Sequence, residues 1–184
     1  MKKFHLFLLA ILGSITALAQ TGNYWSQHSS TERIITDKAV SRVSFPTVFK
    51  LFDLNIDPLR HELFAITDNR NARHTTIISL PNAAGELEQF EVVEASNFEP
   101  ALQARFPQIR AFSGKGISDQ SARLKLSISP QGIQTMVFRT GQANEYIEPY
   151  SSNHQTYAVF KSQRSKGMLP WTCSTPEQEL ATSL

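Results

Sequence analysis

A single cysteine, Cys173, stands in 184 residues. No disulfide can therefore form within the chain, and the fold must rest on its hydrophobic core. Long apolar runs are also scarce. The run Phe4 to Leu12 is shorter than the roughly 20 apolar residues that span a bilayer, and no later segment approaches that length. An excess of one charge is missing once the N-terminus is set aside. Lys2 and Lys3, the apolar run, and Ala17-Leu18-Ala19 before Gln20 have the three parts of a secretory signal. Cleavage near Ala19 is expected to leave a secreted or periplasmic protein with no stable membrane anchor. Without Lys2 and Lys3, the 18 Lys and Arg fall to the number of Asp and Glu, 16. A neutral chain offers no basic stripe for phosphates, which excludes nucleic acid as a partner.

Complete catalytic signatures are lacking too. His61-Glu62 opens like a zinc-peptidase helix, but the position one turn on is Ala65, so the second imidazole of a metal grip is missing. A surface His and Glu at a helix start is the simpler reading. His28, His74 and His154 stand apart from one another in sequence, and loop or strand-edge positions suit them. There is no Gly-x-Ser-x-Gly elbow. Gly114-Lys115-Gly116 lacks the long glycine-rich spacing of a phosphate loop and reads as a turn.

What is present is β-rich. Residues 20–46 are polar and aperiodic, a flexible leader whose only bulky cluster is Tyr24-Trp25. From Thr47, the residues Val48, Phe49, Leu51, Phe52 and Leu54 fit a buried strand. Asp57-Pro58 reads as an N-cap and first helical residue, opening a short helix through Leu63 and Ile66. Thr75 to Leu80 and Leu87 to Val93 form a hairpin about Pro81 to Gly85, and Glu99-Pro100 starts a second short helix that Pro107 stops. Ile109 and Phe112 begin another strand. The clearest alternation is Leu124, Leu126 and Ile128 between Arg123, Lys125 and Ser127, after which Pro130-Gln131-Gly132 leads into Ile133 to Phe138. Tyr146-Ile147 and Tyr157 to Phe160 supply two more strands. The expected fold class is α+β, a mostly antiparallel β-sheet with two short helices packed on it, spanning residues 47–160. Tyr146, Tyr150, Tyr157 and Phe160 form either an aromatic binding face or core and cross-strand pairs.

Residues 161–184 read as a basic linker and a tail carrying Cys173. That cysteine lies outside the sheet, where folding does not explain it. A thiolate on an arm can fill the open fourth position of a catalytic zinc and displace the attacking water. A disulfide to a partner and an inert exposed thiol are the competing readings.

Several short motifs occur in a fixed order: Ile78-Ser79-Leu80-Pro81-Asn82-Ala83-Ala84-Gly85, then Phe90 to Ser96, then Pro100-Ala101-Leu102 through Phe106-Pro107-Gln108-Ile109. Gly114-Lys115-Gly116-Ile117, Tyr146-Ile147-Glu148-Pro149-Tyr150 and Tyr157 follow. This series, over about residues 47–175, resembles the N-terminal pro-region of secreted bacterial reprolysin-like zinc metallopeptidases. The resemblance implies a prodomain that folds first, packs on the protease, keeps it latent and is then removed. Its partner would be the metallopeptidase catalytic domain, in cis in a full-length precursor or in trans, and the zinc would be that domain's, the chain having no cofactor of its own. The family's His-Glu-x-x-His-x-x-Gly-x-x-His motif would follow residue 184, so no catalytic residue is expected in this chain. Cys173 is the candidate zinc ligand in trans, with Pro170 and Trp171 seating the arm. Only Cys173 and the proline three residues before it match the Pro-Lys-x-Cys-Gly switch of the animal relatives. The alternative is a free-standing exported β-rich module that binds peptide or glycan without catalysis.

Overall fold

The computed structural model describes residues 23–30, 33–36, 46–67 and 74–162. Their strands are β1 (Trp25–Gln27), β2 (Lys50–Leu54), β3 (Thr75–Pro81), β4 (Leu87–Glu94), β5 (Arg110–Gly116), β6 (Arg123–Ser129), β7 (Gly132–Phe138), β8 (Glu145–Pro149) and β9 (Thr156–Lys161). Helix α1 (Ile56–Phe64) joins β2 to β3, and helix α2 (Pro100–Arg105) joins β4 to β5. All nine strands form one antiparallel sheet in the order β1-β2-β9-β8-β7-β6-β5-β4-β3. Strands β3 to β9 are thus a simple meander, to whose last edge β2 and then β1 are added.

Alternation decides which face turns inward. Leu124, Leu126 and Ile128 of β6 are buried between exposed Arg123, Lys125 and Ser127. The register carries the same face across the sheet, with Leu126 opposite Thr135, Thr135 opposite Ile147 and Ile147 opposite Val159. The sheet curls around this face as a half-barrel, and α1 fills one end with Leu59 and Leu63, both fully buried. Two bonds span the gap between the sheet's ends. The Trp25 indole of β1 donates to the Ser79 carbonyl of β3 at 3.0 Å, and the Lys50 amine at the start of β2 donates to the Ala84 carbonyl in the β3–β4 turn.

Four expectations need correction. The leader is not uniformly loose: Trp25–Gln27 is a strand, and Tyr24 and Trp25 are core residues because two large rings gain more from burial than a short segment loses on ordering. The first helix starts two residues earlier than expected, at Ile56 with Asn55 as its N-cap, and ends at Phe64, short of Ile66, while Asp57 bonds to Arg60 at 2.9 Å. Gly114-Lys115-Gly116 is not a turn but the end of β5. A Cβ on Gly114 would stand 2.8 Å from Val92 Cγ1, and one on Gly116 2.3 Å from the Asp119 carbonyl oxygen, so these glycines admit close neighbours within a strand. Finally, α2 buries no residue, leaving Phe98, Leu102 and Phe106 exposed, so only α1 contributes to the core.

This asymmetry between the helices is measurable. Leu63→Ala should cost about 2–5 kcal/mol in urea unfolding, since it empties a filled site, whereas Leu102→Ala should change stability by less than about 0.5 kcal/mol.

Candidate functional site

Two polar assemblies stand at opposite rims of the half-barrel. At the upper rim, where α1 begins, a cleft of about 910 Å³ is lined by β1, the start of α1 and the β6–β7 and β8–β9 turns. Its centre is His28, whose Nδ1 lies 2.9 Å from both carboxylate oxygens of Asp53. Asp53 also accepts from Thr156 Oγ1 at 2.8 Å. The strand register produces this contact: Ser26 pairs with Asp53 and Asp53 with Thr156, while the His28 amide donates to the Leu51 carbonyl. The carboxylate thereby links β1, β2 and β9. His28 Nε2 is buried and, among the described residues, meets no hydrogen-bond partner. A carboxylate and imidazole so joined form the back half of an acyl-transfer triad, but that chemistry needs a hydroxyl or thiol within reach of Nε2. Here the pair fastens strands.

The cleft is otherwise amide-rich, with Asn23, Asn55, Asn153 and Gln155. His154 adopts φ 59 in the β8–β9 turn, where Ser151 Oγ accepts from the Gln155 and Thr156 amides. Beneath the cleft, the Tyr24 hydroxyl donates to Glu62 Oε2 at 2.7 Å. Burial, then the Glu62 carboxylate, raise the Tyr24 pKa well above that of an ordinary phenol.

The lower rim carries an ionic cluster. The Arg139 guanidinium, its side chain 7% exposed, bonds to Glu88 and lies 2.9 Å from Asp119 and 3.5 Å from Glu145, which Lys161 approaches at 3.7 Å. Burial alone would lower the Arg139 pKa, but its bonds to Glu88 and Asp119 outweigh that and raise it. Hydrogen bonds from Ser121 and Arg139 hold Asp119 down at about 2.

The residues singled out from the sequence fare differently. Cys173, Pro170 and Trp171 lie outside the described residues, as does the signal segment 1–19. His61 is exposed and Glu62 is taken by Tyr24, and both stand in the last turn of α1, not at a helix start. His74 is exposed. The four aromatics do not share one face: Tyr157 is core, edge-on to Trp25 at 5.5 Å. Tyr146 stacks on Phe160 across β8 and β9 beside an outer groove of about 530 Å³, and Tyr150 packs on Phe49. Neither the His28–Asp53 link nor the Arg139 cluster was visible as a motif, because each joins residues far apart in the chain. Among the described residues no three His, Cys, Asp or Glu converge as metal ligands, and no helix is long and apolar enough to cross a membrane. Compared with known proteins, the chain matches no family model, no curated protein and no solved structure.

Two outcomes follow from the lower rim. Arg139→Met should destabilise the fold by about 3 kcal/mol in urea, because Glu88 and Glu145 lose their buried counter-charge. Asp119 supports the folded state above its ordinary pKa of 3.8 and loses that support as pH falls toward about 2. Asp119→Asn should accordingly flatten the decline in melting temperature over that acid range relative to the parent chain.

Proposed function

We propose that the chain is the N-terminal pro-region of a secreted zinc metallopeptidase, assisting its folding and keeping it latent by covering the catalytic cleft. One observation carries this reading: the motifs that resemble such pro-regions fall along one uninterrupted piece of sheet. Ile78 to Gly85 is β3 with its turn, Phe90 to Ser96 is β4 and its exit, and Pro100 to Ile109 is α2 and the approach to β5. Gly114 to Ile117 ends β5, and Tyr146 to Tyr150 spans β8. Because β3 to β8 are successive neighbours, these motifs lie side by side along the meander, which supports reading them together. The sheet as a whole, with β1, β2, β9 and α1 contributing, has a filled core and needs no disulfide, which suits a domain that must fold before its partner.

In this reading the partner is the catalytic domain and the zinc is that domain's. The chain leaves β9 at Lys161 toward Pro170, Trp171 and Cys173. The Cys173 thiolate takes the zinc position that water needs for attack, and Trp171 anchors the arm as a buried aromatic at the interface. The upper cleft supplies the second reading, an exported module that holds a peptide or glycan among its amide side chains. The two differ over Cys173, which the module does not need.

The chain from Gln20 onward, added in excess to a secreted reprolysin-like catalytic domain supplied in trans, should suppress its cleavage of a fluorogenic peptide. Cys173→Ala should weaken that suppression by about tenfold or more, a loss near 1.4 kcal/mol. No suppression at saturating chain would sink the pro-region reading; equal potency of Cys173→Ala would remove the thiolate switch alone.

A further inference from the structure

The outer face of the sheet carries exposed apolar side chains at Ile77 of β3 and, grouped together, at the lower rim. Leu87 of β4, Ile117 just past β5 and Phe138 at the end of β7 are 46%, 40% and 39% exposed. The register places them near one another. The Ile117 amide donates to the Gln89 carbonyl, and Gln89 shares the outer face with Leu87 two residues before it. Phe138 pairs with Arg123 and Arg123 with Lys115, two residues before Ile117. The result is an apolar arc with Lys115 and Arg123 set into it. The Arg123 guanidinium bonds to the backbone carbonyls of Gln120 and Ala122, so a carboxylate on a facing surface would meet its charge. The platform is stiff, since Glu88 and Asp119, chain neighbours of Leu87 and Ile117, are both held by Arg139 on the inner side.

Resting on the pro-region reading above, we propose that this arc is the surface on which the metallopeptidase catalytic domain seats. The course of the chain selects this occupant. Phe138 adjoins Val137, which pairs with Glu145, and Glu145 pairs with Lys161 at the end of β9. The arc therefore begins about 10 Å, two strand spacings, from where the chain departs toward Cys173. The stretch from Lys161 to Cys173, fully extended, reaches at most about 40 Å. A catalytic domain seated on the arc keeps its zinc within that reach. A second group among the exposed apolar side chains, Phe98, Leu102 and Phe106 about α2, stands at the opposite rim, about 20 Å further away along the strands.

The test uses the chain from Gln20 onward and the same catalytic domain in the fluorogenic assay. A triple variant, L87S/I117S/F138S, should inhibit at least tenfold more weakly than the parent while F98S/L102S/F106S inhibits as the parent does. Should the first variant lose its folded circular-dichroism spectrum, a photo-crosslinking phenylalanine analogue at Phe138 replaces it, and a covalent adduct with the catalytic domain is expected. An unweakened folded triple variant, no adduct, or a loss confined to the α2 variant overturns the arc while leaving the pro-region reading in place. A parent chain that does not inhibit overturns both.

Discussion

Closure of the sheet onto itself is the constraint on which the rest depends. A nine-stranded antiparallel sheet with one apolar face cannot lie flat in water, because that whole face would be wet. Curling solves this only if the two outer strands stay close, and here the Trp25 indole of β1 reaches the Ser79 carbonyl of β3 while its ring packs edge-on against Tyr157. Trp25 thus satisfies a buried carbonyl, fills volume and joins the ends of the sheet at once. A chain without an internal disulfide has this packing in place of a covalent staple. The Lys50 amine on Ala84 repeats the connection at the other rim with a more exposed and weaker bond.

The two rims are finished by different physics. The upper end is closed by α1, whose buried Leu59 and Leu63 extend the core, and the hydrophobic effect orders it. At the lower end the inward-facing positions of β4 and β8 are Glu88 and Glu145, which apolar contacts cannot satisfy. Arg139 lies between them, and its planar guanidinium serves several carboxylates where a lysine would serve fewer. The acids hold one rim in a single arrangement, whereas Asp53 at the other binds β1 to β2 and β9 through His28 and Thr156. Both devices join strands distant in sequence, and the Asp53 link helps so short a strand as β1 keep its place.

Sequence reading recovered what depends on period and lost what depends on the third dimension. The β6 alternation, the β3–β4 hairpin and both helices announce themselves locally, because strand period and proline placement act over a few residues. The role of Gly114 and Gly116 was missed since a glycine in a strand and a glycine in a turn look alike until the neighbours Val92 and Asp119 are in place. The leader was misread for a related reason: three residues of strand carry too little periodicity to register, and Trp25 is core because β1 pairs with β2 and reaches the far edge strand β3. Tyr157 looked like its aromatic neighbours until its register opposite Phe52 turned it inward. His28 and Asp53 gave no signal at all, being partners by strand pairing and not by spacing.

The division between a self-sufficient sheet and a chain that continues past Lys161 bears on how such a domain would act and then stop acting. If seating on the lower rim and the reach of Cys173 both hold the catalytic domain, the two contacts reinforce one another through effective concentration, and neither has to be tight alone. One cut between Lys161 and Cys173 would separate the Cys173 arm from the sheet and leave the rim to bind as a free domain. Affinity then falls steeply although neither surface has changed. A stable sheet favours that outcome, because its core is complete without the partner and gives it no hydrophobic reason to stay bound. Latency would thus be set by chain connectivity, and release would require no unfolding of the half-barrel.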